Sequence, residues 1–295
     1  MKIHYFNATH WDREWYYSKE AFRTFLVEMT DKMLNLLDDP ETLPLFIFDG
    51  QTIVLEDVLE IHPEWRKRLE KAISSKRLKV GPWYVMPDEF TVSGEALVRN
   101  LLLGRRIAES FGSAPWNVGY VCDIFGHIAQ LPQIFQGFGL RGAVLWRGVP
   151  SETGPYFIWV SPDGTEIPAI HFDSKTGYSE FSLRVRGTKD VPLDEGFKQR
   201  LLDWLPGAEK YWGENLLCSD AQDHAYPASC MKEIRNILQE VLPDAEIIHT
   251  DLTELFDAEF KDTAALPHFS GELIHPSKMS GAGYQINATI SSRPK

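Results

Sequence analysis

Apolar residues in this chain recur at two spacings that alternate along its length. Ile3-His4-Tyr5-Phe6-Asn7-Ala8 reads as an opening strand, and Phe22, Phe25, Leu26, Met29, Met33 and Leu36 then recur at helical spacing, predicting a helix to about Leu37. Leu45-Phe46-Ile47-Phe48 is a short buried strand closed by Asp49-Gly50, and Thr52 to Glu60 returns to helical periodicity. A helix from Glu64 to Ser75 leads to the strand Leu78-Lys79-Val80, which ends at Gly81-Pro82-Trp83. Ser93 caps the next helix, with Glu95 in its first turn, and Leu97, Leu101 and Ile107 carry it to Phe111. The strand Asn117 to Cys122 ends at Asp123; a helix from Ala129 to Phe138 and the strand Ala143 to Trp146 follow.

Beyond Pro150 the pattern loosens. Tyr156 to Ile170 reads as a hairpin around Pro162-Asp163-Gly164. Helices resume at Leu193 to Leu205 and Ala228 to Val241, with the strand Leu216-Leu217-Cys218 between them running into the acidic loop Asp220 to His224. Alternating strand and helix predicts an α/β fold, a (β/α)7-like barrel of parallel strands with helical crossovers. Its expected extent is 1–262, with 263–295 as a connection onward. In such folds the chemistry collects at the carboxyl ends of strands, where His10, Asp12, Asp88, Asp123 and Arg147 all fall.

A length of 295 residues and a hydrophobic fraction of 43% allow a large core. The net charge of -12 argues against nucleic acid and anionic membranes as partners and favours a neutral or cationic small substrate. Cys122, Cys218 and Cys230 are odd in number and lack a Cys-x-x-Cys spacing, so they suggest neither a disulfide framework nor a zinc knuckle, and a reducing cytoplasm is the expected location. No signal-peptide core or 18-residue apolar run occurs. The Asn-x-Thr sequons at Asn7 and Asn287 are read as coincidence, since a glycan would not fit on a strand. Of the nine Trp residues, most are expected in the core, while Trp15 and Trp83, each beside an acidic loop, are candidates for stacking on a sugar.

His10 and Asp12, two apart at a strand end, point to the same side and can grip one metal ion. Taken alone the pair reads more readily as a helix cap beside a surface imidazole, since an ion needs further ligands that the pair does not supply. Asp123-Ile124-Phe125-Gly126-His127 places a second carboxylate at another strand end, followed by a glycine suited to a tight turn.

His10-x-Asp12-x-x-Trp15 and Asp123-Ile124-Phe125-Gly126-His127 together resemble the N-terminal catalytic domain of the glycoside hydrolase family 38 α-mannosidases. Gly81-Pro82-Trp83, Pro87-Asp88-Glu89, Ser93-Gly94-Glu95-Ala96-Leu97-Val98-Arg99, Gly271-Glu272-Leu273 and Ser291-Ser292-Arg293 extend the resemblance along nearly the whole chain. Its flavour is bacterial, resembling the branch that includes mannosylglycerate hydrolases. The resemblance implies zinc, with cobalt or calcium as alternatives, bound by His10, Asp12 and Asp123. It also implies retaining hydrolysis of α-mannosides through a glycosyl-enzyme on Asp123. The acid is Asp173, after Ala169-Ile170-His171-Phe172, or else Asp223. Trp15, Phe125, Asp223 and His224 would line the sugar pocket, and Asp88 and Arg147 would bind sugar hydroxyls or a carboxylate, although an ion pair or helix cap explains either equally well.

Family members take a fourth metal ligand from a His-Asp motif in a helical region after the barrel, and no His here has that context. The resemblance therefore implies an excised catalytic domain, with weakened metal binding and activity and with any self-association belonging to the full-length protein. Two other readings stay open at this stage: a sugar deacetylase-like hydrolase that attacks with a metal-bound water, and a non-catalytic mannose- or metal-binding fragment.

Overall fold

The computed structural model describes residues 1–172, 176–187 and 193–275. β1 (Lys2–His10) leads to α1 (Lys19–Leu37), β2 (Phe46–Phe48), α2 (Ile53–Ile61), α3 (Arg66–Ser74) and β3 (Leu78–Lys79). α4 (Gly94–Ser110), β4 (Gly119–Val121), α5 (Leu131–Gly137) and β5 (Ala143–Leu145) follow, and β6 (Tyr156–Val160) with β7 (Glu166–His171) makes the expected hairpin. The remaining elements are α6 (Phe197–Trp212), β8 (Asn215–Asp223), α7 (Met231–Val241), β9 (Glu246–His249), α8 (Thr253–Glu259) and β10 (His268–Ser270).

Parallel pairing runs in chain order, β1 to β2 to β3 in one sheet and β4 to β5 to β7 in the other, and β8 returns to lie beside β1. These seven strands bear out the α/β class and the parallel arrangement. Two features differ from an ideal ring: it does not close by strand pairing between the two sheets, and β6 runs antiparallel to β7. β1 is buried from Ile3 to His10 because both its edges are used, by β8 along its length on one side and by β9 and then β2 on the other. Backbone and side-chain bonds span the gap between the sheets, Trp116 N–H donating to the Val80 carbonyl and Trp83 Nε1–H to that of Tyr120. Trp83 is fully buried among Leu97, Leu101 and Phe135, so the stacking role expected of it is corrected to a core role.

Several elements run further than the periodicity predicts. α6 continues through Pro206 to Trp212, because Leu205, Ala208 and Trp212 keep its buried face in register although the proline donates no hydrogen bond. β8 extends to Asp223 past polar residues, of which Ser219 and Asp220 are buried: Asp220 accepts hydrogen bonds from the Tyr5 hydroxyl and the Arg186 guanidinium. β10 pairs with β6, and Leu273 and His275 bridge to His127 and Gly148, so the start of the 263–295 segment packs on the barrel strands.

α4 positions the segment leading to Asp88. Ser93 caps it, its hydroxyl accepting from Ala96 N–H, and Asn100 bonds Tyr84 and Val85. Gly104 lies so close to that segment that a Cβ would come within 2.2 Å of the Pro82 carbonyl oxygen. Gly104→Ala is expected to destabilise, since overpacking against rigid backbone costs about 1–3 kcal/mol and exceeds a helix-propensity gain of about 1 kcal/mol. A urea midpoint equal to or above wild type would contradict this.

Candidate active site

Four strand ends converge, those of β1, β2, β4 and β8. The β1–β8 register sets His10 opposite Asp223, and the β1–β2 register sets Thr9 opposite Phe48, leaving Asp49 beside His10. Asp49 is buried, and its carboxylate accepts from His10 Nδ1 at 3.0 Å, Trp11 N–H at 2.7 Å and Gln51 Nε2 at 2.5 Å. This fixes the imidazole with Nδ1 committed and Nε2 turned towards Asp123 Oδ2, 3.2 Å away, and Asp12 Oδ1, 3.5 Å away. Asp123 also pairs with Arg147, whose guanidinium lies 3.8 Å from the Trp146 ring centre and 5.1 Å from that of Phe125.

Burial disfavours the charged form of His10, but Asp49 and Asp123 outweigh it and raise its pKa well above the ordinary value. Burial likewise opposes ionisation of Asp123, yet His10 and Arg147 hold its pKa down at about 2. The space between His10 Nε2 and the carboxylates therefore favours positive charge, and a proton or a cation could supply it. Donor atoms sharing a tetrahedral ion at bond lengths of about 2.1 Å stand about 3.4 Å apart, close to both separations from Nε2. One imidazole and two carboxylates, with a carboxylate behind the imidazole, also suit a divalent ion chemically. Among the described residues, however, no three His, Cys, Asp or Glu side chains close around a common point, so the fit is one of donor pairs and chemistry.

His224 adopts a positive φ of 53°, which lets Nε2 accept from Asp12 N–H at 3.2 Å while Nδ1 meets the Tyr16 hydroxyl at 3.1 Å. Burial lowers its pKa, in keeping with a neutral ring that accepts a hydrogen bond. Asp223 takes a 2.5 Å hydrogen bond from Tyr178, whose ring also faces His10. Arg13, within the opening motif, forks onto Asp57 of α2 at 2.6 and 2.8 Å and ties down the loop carrying Asp12. Trp15 is 68% exposed beside that loop. Asp88 Oδ1 is buried without a partner, and burial raises its pKa. Asp173 lies outside the described residues.

The structure thus brings His10, Asp12, Asp123, Arg147, Phe125, Asp223 and His224 into one contact network. Sequence reasoning missed Asp49, Gln51, Tyr178 and the Arg13–Asp57 pair. Asp49 did carry a signal, because Phe46-Ile47-Phe48-Asp49 repeats the pattern of Tyr120-Val121-Cys122-Asp123, a buried strand ending in a carboxylate.

A (β/α)7-like assembly with carboxylates and an imidazole at its strand ends defines an α/β barrel-like domain with its candidate chemistry at the carboxyl ends of the strands. Residues 1–237 match the glycosyl hydrolases family 38 N-terminal domain, and the chain belongs to that family. It is 34% identical to the "Putative mannosylglycerate hydrolase" of Halalkalibacterium halodurans across 98% of this chain and 33% of that protein. It also superimposes on an alpha-mannosidase from Enterococcus faecalis V583 with a TM-score of 0.84 and 30% identity, over 92% of this chain and 31% of that one. The chain therefore spans about a third of the length of these relatives. A "probable polysaccharide deacetylase" from Pseudomonas aeruginosa PAO1 matches with a TM-score of 0.55 at 10% identity over 88% of this chain and 91% of that one, a likeness of fold alone.

Proposed function

We propose that this chain is the nucleophile-bearing part of a retaining α-mannosidase acting on mannose-containing sugars, with a small mannoside such as mannosylglycerate as the first substrate to test. The observation that carries this is Asp123: an ionised carboxylate at the end of β4, held between His10 and Arg147. In a retaining reaction Asp123 attacks the anomeric carbon as the glycosidic C–O bond breaks, and the departing oxygen takes a proton from an acid on the opposite side. Water then attacks the glycosyl-enzyme, giving one of its own protons to the now ionised acid as the C–O bond to Asp123 breaks, which restores both carboxyl groups. Asp173 or Asp223 supplies the acid; Tyr178 orients Asp223 by its hydrogen bond.

His10, Asp12 and Asp123 would hold a divalent ion, zinc first and cobalt or calcium as alternatives. When bound, such an ion supplies positive charge that orients sugar hydroxyls. Asp49 holds the His10 ring in place, and His224 and the Arg13–Asp57 pair fix the Asp12 backbone. Phe125, Arg147 and exposed Trp15 would shape the rim of the sugar site, with Asp88 accepting a sugar hydroxyl. The free buried thiols of Cys122, Cys218 and Cys230 suit a reducing cytoplasm.

A fluorinated, activated α-mannoside tests the covalent step. The expected result is a mass increase of one fluorosugar on the peptide containing Asp123, absent in Asp123→Asn. Hydrolysis of an aryl α-mannoside with no trapped adduct, or acetate release from an acetylated sugar instead, would defeat the proposal.

A further inference from the structure

We infer that Glu89 and His127 form a buried latch that positions Asp123, a role that rests on the retaining function proposed above. Both side chains are shut away from solvent. Glu89 Oε1 lies 2.7 Å from His127 Nδ1, and Oε2 accepts the Ile128 N–H at 2.9 Å. One carboxylate therefore grips two successive residues of the segment that leaves β4 after Asp123. The backbone of His127 is held as well: its N–H and C=O exchange hydrogen bonds of 3.0 Å with Leu273, and its ring stands edge-on to Trp159.

The placement of these groups is specific to that segment. Gly126 turns the chain at a φ of 124°, beside Phe90 and Leu273, so the five residues from Asp123 to His127 leave the strand and are then pinned at their far end. At their near end Asp123 is held by His10 and Arg147. Glu89 belongs to the segment that also carries Asp88, so the single buried Glu89–His127 contact links two loops of the proposed sugar site. A charge placed out of water with two donors on it is costly to disturb, which makes the spacing stiff. Nucleophilic attack is sensitive to placement, and a displacement of about 1 Å can lower rates on the order of a hundredfold.

His127→Phe, His127→Asn and Glu89→Gln form the test. Phe removes the Nδ1 donor at similar volume, whereas Asn places an amide N–H near the position of Nδ1. Three readouts are taken on the full chain: melting temperature, equilibrium binding of mannose, and the rate at which the fluorinated mannoside labels Asp123. The latch predicts that His127→Phe lowers the labelling rate on the order of tenfold or more at a mannose affinity within about twofold of wild type, with recovery in His127→Asn. A folded His127→Phe protein that labels at the wild-type rate would overturn it, as would equal losses in Phe and Asn variants. Should His127→Phe fail to fold, Glu89→Gln decides by the same rates. Amide exchange at Ile128 reads the latch without substrate: Glu89→Gln must speed it while leaving β4 protected, and unchanged exchange overturns the latch. If wild type itself is not labelled, the retaining mechanism fails, and the exchange result still decides whether the latch exists.

Discussion

Asp123→Asn is expected to lower turnover of an aryl α-mannoside by at least on the order of a thousandfold, because it removes the nucleophile and leaves its partners in place. Steady-state rates for variant and wild type, measured with matched metal content, check it; a loss of less than about tenfold would mean that Asp123 does not form the bond. The same variant carries a signed pH effect. The pKa of Asp123 lies below its ordinary value, at about 2, because His10 and Arg147 outweigh burial. A depressed carboxyl pKa contributes stability that is fully present above the unfolded value and is lost as pH falls through the folded one. Wild type should therefore lose about 2 kcal/mol from this group between roughly pH 4 and pH 2, and Asp123→Asn should not. Urea midpoints for both proteins at pH 5 and pH 2 give the comparison. The acid limb of the pH–rate profile then belongs to another group, since Asp123 stays ionised well below neutrality.

Asp49→Ala is expected to have the largest effect on the architecture of the site. Three donors converge on this carboxylate, from His10, Trp11 and Gln51, and all are buried with it. Removing it leaves them without an acceptor, a loss of about 3–5 kcal/mol by analogy with breaking a buried charged pair. Ala at a φ of 56° adds about 1 kcal/mol, as only glycine and the short polar residues visit that region readily. If His10 ligates a metal, its ring is also released from its fixed orientation, and zinc affinity should fall about 10–100-fold. Calorimetric titration of metal-free protein with zinc and a thermal melt provide the measurements. Zinc affinity equal to wild type in a folded variant would show that Asp49 does not orient a metal ligand.

The sequence made the parallel architecture legible because buried strands of apolar residues alternate with amphipathic helices, and each strand end carries a chemically distinct residue. His10 and Asp12 could be assigned to one strand end and Asp123 to another of a single expected sheet, whereas β1 and β4 belong to the two separate sheets. The Asp12–His224 and Asp123–Arg147 contacts join residues that lie far apart in the sequence. Asp49 escaped notice because Asp49-Gly50 has the composition of an ordinary turn, and only the pairing of β2 with β1 turns that turn into a support for His10. Tyr178 was hidden for a different reason: it comes from an irregular segment that no periodicity marks, and its hydroxyl reaches Asp223 across 45 residues. Polar residues within β8 shortened the expected strand, since a pattern of apolar positions does not register an Asp that is buried against an Arg and a Tyr. β9 and β10 are half-exposed and carry no run of buried apolar residues like that of β2 or β5, so neither stands out as a strand.

β1 and β8 are locked residue for residue from Lys2 with Asn215 to His10 with Asp223. Strand side chains reverse faces at every step, so gaining or losing one residue anywhere in those nine would turn the His10 imidazole away from the carboxylates while leaving most of the hydrogen-bond ladder able to re-form. The strand acts as a ruler for the catalytic end. Length variation among relatives should therefore collect in the loops after each strand, with point substitutions the main source of change within β1.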